Sequence, residues 1–300
     1  MAKMAFQKKG SPKRYFRAVL LPFKTALSSR RYPKPLSGTK RRLFSINAFV
    51  AEVWKYAAGR KRLNPDSFLA AEAFSKHVCR IDDILDQVNT VGSVTEIPKW
   101  KRDDKARAHI SDFVHRVKEM PLTTAEKKQV FRIAGEFRRE ANKSLIKFKK
   151  NSNPTKKDVI SLKEKTTGSS GKALVSLLNV CERIPRKQAI ELEEAFSNIF
   201  MAAQVADDIL DLREDQRART PNLALEFLKD NPLELKSAMK KSKMNMLWFK
   251  RNCKISYAQL IRLCNSYISK VPQTTVGFQT LATLPKLFLK LLFLPTRSKK

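Results

Sequence analysis

The sequence predicts an all-α bundle on three observations. From Ser45 to Ser242, apolar residues recur three and four positions apart, the period of helices that bury one face. No run alternates apolar and polar residues long enough to make a half-buried strand. Glycine is scarce, at 8 of 300 residues, which argues against a propeller or a barrel built from tight turns. With 42% hydrophobic and 30% charged residues, a chain of this length can bury a sizeable core and is not a disordered polymer.

The breaks at Asn64-Pro65, Pro98, Pro121, Asn153-Pro154, Pro185 and Pro221 divide the periodic region. Helices are expected at Ile46–Gly59, Asp66–Gln87, Lys105–Lys118, Thr124–Lys149, Lys156–Ser169, Lys172–Glu182, Arg186–Glu214 and Leu223–Phe227. Asp66 and Thr123 are candidate N-caps. Glu126, three residues after Thr123, completes a capping box. Asp103-Asp104 lies among Lys99, Lys101, Arg102 and Lys105 and reads as a solvated helix start.

Charge is unevenly distributed. The 61 basic and 28 acidic residues give a net charge of +33. Residues 1–51 hold 13 basic residues and no acid, and residues 235–300 hold 14 basic residues and no acid. The body between them is nearly neutral, at +6. Cationic ends suit any polyanion: nucleic acid, anionic lipid headgroups or diphosphates. The expected organisation is a basic extension at 1–37 able to associate with a membrane surface, a helical domain at 38–270 and a basic amphipathic segment at 271–300. In that last segment Leu284, Leu287, Phe288, Leu291 and Leu292 share a side, consistent with an interfacial helix or with a final helix packed on the core. Leu281–Leu294 is interrupted by Pro285, Lys286 and Lys290 and is too short to span a bilayer. The N-terminal stretch lacks the apolar core and cleavage site of a secretory signal. The expected location is the cytoplasm, peripheral at the membrane, or an organelle if the basic N-terminus is a transit peptide. Four cysteines with no CxxC pair and three histidines argue against a zinc site and against a disulfide framework.

The pentapeptide DDILD occurs twice, at Asp82–Asp86 and Asp207–Asp211, and takes six of the 13 aspartates. At that frequency a DDxxD pattern arises by chance about 0.02 times in such a chain, and two copies about 0.0003 times. On a helix the outer aspartates of each copy lie about 40° apart and one turn along the axis. Asp82 and Asp86, or Asp207 and Asp211, therefore share a face flanked by Asp83 or Asp208. Carboxylates so crowded repel unless a cation joins them, and oxygen-only ligands suit Mg²⁺, which completes its shell with phosphate oxygens. Both copies lie in apolar stretches, Phe68–Ile81 and Ile199–Ala206, so they are expected to face the bundle interior rather than to form exposed acidic faces. The stretch Thr166–Gly171 between Lys165 and Lys172 is not a P-loop, because the Gly-Lys pair comes too early. Its glycines are expected to let two helices approach or to break a helix beside the pocket.

Taken together, these residues resemble the class I isoprenoid synthases, specifically the trans-prenyl diphosphate synthases. Glu72 stands ten residues before Asp82. Lys165-Thr166 precedes Asp207 by 42 residues, and Gln204 stands three before it, as in that family's Lys-Thr and FQxxDDxxD motifs. Gly38–Leu43 is similar to the segment that grips isopentenyl diphosphate, and Arg217–Leu223 to the segment after the second motif. The resemblance covers residues 38–228 and implies a single helical bundle of the isoprenoid synthase type with a central apolar cavity. It further implies two or three Mg²⁺ ions held by Asp82, Asp83, Asp86, Asp207, Asp208 and Asp211. The substrate diphosphate would be bound by Lys40, Arg41, Lys165, Thr166, Gln204, Arg217 and Arg219, with Lys165 also among the catalytic residues. Prenyl diphosphates are the implied substrates and a homodimer the implied assembly. Two departures stand out. Gln87–Ser93 replaces the family's Arg-Arg-Gly, and Leu43 falls where the second arginine of the first segment belongs.

The resemblance implies an enzyme that ionises an allylic prenyl diphosphate and condenses it with isopentenyl diphosphate to give a longer polyprenyl diphosphate. Terpene cyclases and squalene/phytoene-type synthases share the fold and both acidic motifs without those arginines, and are the alternative. Candidate walls for the cation are Phe74, Val78, Phe196 and Phe200, each also suited to plain core packing. His77 sits where the family often sets product length. A helical nucleic-acid-binding protein would account for the charge but not for two DDILD motifs, which repel a phosphate backbone unless metal-loaded. No specific nucleic acid is therefore expected. A catalytically dead membrane scaffold or partner subunit is the other competitor.

Overall fold

The computed structural model describes residues 50–88 and 103–272, apart from Glu52, Tyr56, Ser242 and Lys243, and only the backbone of 81–88. The basic extension at 1–37, Lys40, Arg41 and residues 273–300 lie outside the described residues. Among the described residues there is no strand, and the protein is an all-α bundle.

A helical stretch within 50–57 is followed by α1 (Pro65–Val88), α2 (Asp104–Glu119), α3 (Thr124–Lys149) and α4 (Lys156–Lys163). A π-helical turn, Glu164–Gly168, leads without a break into α5 (Ser169–Cys181). Then come α6 (Arg186–Leu210), α7 (Leu212–Ala218), α8 (Leu223–Lys229), α9 (Pro232–Lys240), α10 (Met246–Asn252) and α11 (Lys254–Ser269). The last three were not expected from periodicity, because the basic residues of that region dilute their apolar faces.

Local chemistry accounts for most boundaries. Thr123 caps α3 by accepting from the Glu126 N–H, and the Glu126 side chain accepts from the Thr123 N–H in return, the expected capping box. A second box joins Thr155 and Asp158 at the start of α4. Asp103 caps α2, accepting from the Ala106 N–H at 2.7 Å. At α1, however, the cap is Asn64 rather than Asp66. Pro65 occupies the first helical position, and the Asn64 side chain accepts the Asp66 N–H at 2.9 Å. The expected helix Lys156–Ser169 gives way at the π-helical turn. The expected Arg186–Glu214 breaks at Asp211, which is not helical and separates α6 from α7.

α5 and α6 form the centre of the bundle. α5 packs on α1, α3 and α6, and α6 packs on α8, α10 and α11. Val175, Leu178, Leu192, Ala195, Val205 and Ile209 are among the fully buried residues between them. The 50–57 stretch is pinned to this centre by Trp54, whose Nε1 donates to Asn179 Oδ1 at 3.0 Å in the interior. The four cysteines form no disulfide, and no helix among the described residues is long and apolar enough to cross a membrane.

Candidate functional site

A cavity of about 410 Å³ opens between α1, α2 and α3 on one side and α4, the π-helical turn, α5, α6 and α7 on the other. The first group supplies an apolar wall that includes Phe74, Val78, Phe113, Phe131 and Phe137. Their rings interlock: Phe74 and Phe113 lie 5.7 Å apart, Phe74 and Phe137 5.9 Å, and Phe113 and Phe131 6.1 Å between centroids. The second group supplies polar and acidic residues: Lys163, Thr166, Thr167, Gln204, Asp207, Asp208, Asp211 and Asp215. One end of the cavity is thus built for hydrocarbon and the other for charge.

The aspartates of the second DDILD copy differ in role. Asp208 is 1% exposed. Its Oδ2 accepts the Leu223 N–H at 2.6 Å, and its Oδ1 takes Lys163 Nζ at 3.2 Å together with the amide of Gln204. Its backbone carbonyl accepts from Asn222 Nδ2 at 2.7 Å. Through these donors Asp208, which also lines the cavity, fastens α6 to the start of α8. Asp207 and Asp211 are exposed to the cavity. Exclusion of bulk water, then the charges of Asp211 and Asp208, push the Asp207 carboxyl up to about 6, and Lys163 opposes the rise.

Asp215 was not anticipated. The turn at Asp211 swings α7 so that Asp215 also lines the cavity, half-buried, with its Oδ2 accepting from Asn222 Nδ2 at 2.6 Å. Burial pushes it up to about 6 against that hydrogen bond. Its spacing, four residues after Asp211, was the available signal.

The π-helical turn distributes the Lys-Thr segment. Thr166 and Thr167 line the cavity, and Thr167 Oγ donates to Gln204 Oε1 at 2.9 Å. Lys165 is exposed and does not line the cavity. Arg217 and Arg219 are also exposed and outside it, and their loop reaches the cavity through Thr220 and Pro221 instead. Of the expected apolar walls, Phe74 and Val78 are in place. Phe196 is buried in the core, and Phe200 packs on Gly171, so neither lines the cavity. Glu72 is buried beside Lys76 at 2.8 Å, away from the lining. His77 lines the cavity and donates from Nδ1 to the Ala106 carbonyl at 3.0 Å; burial lowers its pKa.

The backbone of α1 carries Asp82, Asp83 and Asp86 within the last turns of that helix, beyond Phe74, His77 and Val78. The carboxylate oxygens of Asp207, Asp211 and Asp215 on the cavity wall fit a hard divalent cation such as Mg²⁺ that takes further oxygens from phosphate. Among the described residues, no three acids, histidines or cysteines gather closely enough to hold an ion unaided.

No protein-family model matches the chain, and no curated protein matches it. Solved structures do. A geranylgeranyl pyrophosphate synthetase from Pyrococcus horikoshii superposes with a TM-score of 0.57 at 14% identity, over 93% of this chain and 97% of that one. A geranylgeranyl pyrophosphate synthase from Lactobacillus brevis gives 0.57 at 13% identity, over 92% and 97%. A polyprenyl synthase from Roseobacter denitrificans gives 0.56 at 13% identity, over 93% and 95%. At these identities the likeness shows the fold, and it is the fold that those prenyl synthases share.

Proposed function

We propose that this protein is a Mg²⁺-dependent prenyltransferase that ionises an allylic prenyl diphosphate and joins it to isopentenyl diphosphate, giving a longer prenyl diphosphate. The observation that carries this reading is one cavity with phenylalanine rings along one wall and the Asp207 and Asp211 carboxylates along the other. An allylic diphosphate needs both surroundings: charge compensation at the leaving group and exclusion of water from the cation. Two or three Mg²⁺ ions, held by Asp207 and Asp211 with Asp82, Asp83 and Asp86, would supply the Lewis acidity that neutralises the departing pyrophosphate.

The chain's own residues supply the rest. Phe74, Phe113, Phe131 and Phe137 would shield the allylic carbons from water. Thr167 and Gln204 form a hydrogen-bonded pair in the cavity lining, suited to contact a diphosphate headgroup. Asp208 holds α6, Lys163 and α8 in register, so that Asp207 keeps its place at the cavity surface. The basic segments at 1–37 and 271–300 suit anchorage to an anionic lipid surface, where long prenyl products partition.

The test is a Mg²⁺-dependent assay with geranyl, farnesyl or geranylgeranyl diphosphate, with and without isopentenyl diphosphate, products read by mass. A longer diphosphate formed only when isopentenyl diphosphate is present is the expected result, with Asp207→Asn lowering turnover at least about a hundredfold. A hydrocarbon or alcohol released without isopentenyl diphosphate would instead make the protein a terpene cyclase or a squalene/phytoene-type synthase. No turnover in either arm overturns the enzyme reading.

A further inference from the structure

α3 divides its circumference between two surroundings. Phe131, Ala134, Phe137, Ala141 and Leu145 belong to its cavity side. Arg139, Lys143, Lys147 and Lys150 are exposed and line a surface groove with Glu140 and Ile146. At 100° per residue the four cations fall within about 80° of one another and extend about 16 Å along the axis. The cavity side lies roughly opposite them. Acids do not neutralise this row. Glu136 lies 4.0 Å from Arg132, a turn further back, and among the described residues none of the four cations is in an ion pair. The Asp158 carboxyl is held down by the Thr155 N–H and hydroxyl first, and only then by the charge of Lys147. Like charges one turn apart disfavour a helix, and a surface of opposite charge removes that cost.

We propose that Arg139, Lys143, Lys147 and Lys150 seat the folded body on an anionic lipid bilayer, with α3 lying along the headgroups. A plane of negative charge meets a straight row of this kind along its whole length. Binding of single-stranded nucleic acid relies on aromatic rings beside the cations, and the groove has none among the described residues. The cations of α9–α11 form no such row: Lys241, Lys250 and Lys270 lie against the rings of Trp248, Tyr257 and Tyr267. Seated in this way, the apolar side of the cavity is separated from the membrane by one helix diameter, about 10 Å. The choice of a bilayer among polyanions rests on the function proposed above, whose products partition into lipid, whereas the row itself does not.

The test uses the full chain at about 0.15 M salt, with vesicles of phosphatidylcholine alone or with about 30% phosphatidylserine. Exposed lysines are acetylated, and the rate at each site is read by mass. Lys61 and Lys187 are exposed references at the other end of α3, where Arg183 donates to Glu126 at 2.8 Å and Gln188 to the Ala58 carbonyl at 3.2 Å. With anionic vesicles, Lys143, Lys147 and Lys150 are expected to react at least about fivefold more slowly, and the two references at their rates in solution. Arg139→Gln/Lys143→Gln/Lys147→Gln/Lys150→Gln is expected to bind those vesicles at least about tenfold more weakly, with an unchanged circular dichroism spectrum. A vesicle-bound chain whose row reacts as fast as in solution overturns the inference and leaves anchorage to the basic ends. Slowing that is equal at Lys61 and Lys187, or a chain that binds no vesicles, overturns it too. Protection of the row by double-stranded DNA and not by vesicles would assign it to nucleic acid instead. Turnover does not enter these readouts, so a chain that docks as expected but makes no product fails the proposed function alone.

Discussion

At the scale of single residues, the aspartates show how neighbours set a carboxyl's task. Asp103 and Asp207 differ only in surroundings. The Arg80 guanidinium, donating to Asp103 at 3.1 Å and 2.6 Å, and the Ala106 N–H hold the Asp103 carboxyl down at about 2, while dehydration and the neighbouring acids lift Asp207 to about 6. A carboxyl whose folded pKa lies below its unfolded value contributes stability that is present above about pH 4 and is lost as pH falls through about 2. Asp103→Asn is therefore expected to lower the thermal midpoint by a few degrees at pH 7, and the gap between variant and parent is expected to narrow from pH 4 to pH 2. Thermal unfolding followed by circular dichroism across that range checks it. A gap that stays constant with pH would remove both the Arg80 pair and the Ala106 N–H as the source of the lost stability.

Among elements, the contact of α5 with α6 is the decisive one, because α6 carries the second aspartate motif. Gly171 makes the close approach possible: a Cβ there would meet Cγ of Phe200 at 2.6 Å and Cδ2 at 2.7 Å. At Gly168 the nearest atoms are Met201 Cγ at 3.1 Å and Ser197 Oγ at 3.2 Å, and the methionine can bend away. Gly171→Ala is expected to destabilise by about 1–3 kcal/mol despite alanine's better helix propensity, since the ring must leave its place between the helices. Gly168→Ala is expected to fall within about 1 kcal/mol of the parent, propensity and crowding offsetting each other. Urea unfolding of both variants separates the two cases. Equal losses would mean that Phe200 does not limit how near the helices come.

For the whole molecule, the cavity is set by how α1, α2 and α3 close over α5 and α6. Phe137 lines it from α3, and its ring meets Phe74 of α1 edge-on at 5.9 Å. Phe137→Ala removes a ring from the apolar wall and enlarges the space for a growing chain. If the proposed synthesis holds, the variant is expected to shift products toward longer prenyl diphosphates by mass, at a stability loss of about 1–3 kcal/mol for a half-buried ring. An unchanged product length in a folded, active Phe137→Ala protein would place the length limit elsewhere along the wall.

The sequence by itself determined the all-α class, the breaks near Pro65, Pro121, Pro154, Pro185 and Pro221, the capping box at Thr123 and the repeated DDILD motif, because each depends on near neighbours along the chain. Helical period, N-cap chemistry and i,i+4 spacing are local quantities that burial reinforces and does not reverse. It also placed Phe74, Val78, Thr166, Gln204, Asp207 and Asp211, all of which line the cavity. Tertiary structure decided what each charged residue faces. Asp208 is tied to the start of α8 because the Leu223 N–H reaches its carboxylate. Lys163 rather than Lys165 reached the cavity because one π-helical turn set which side of the segment faces α6. Asp215 joined the wall because α6 ends at Asp211, and Phe113, Phe131 and Phe137 became the apolar side because α2 and α3 fold over α1. The direction a side chain takes depends on partners far away in sequence, and a pattern of near neighbours does not contain them.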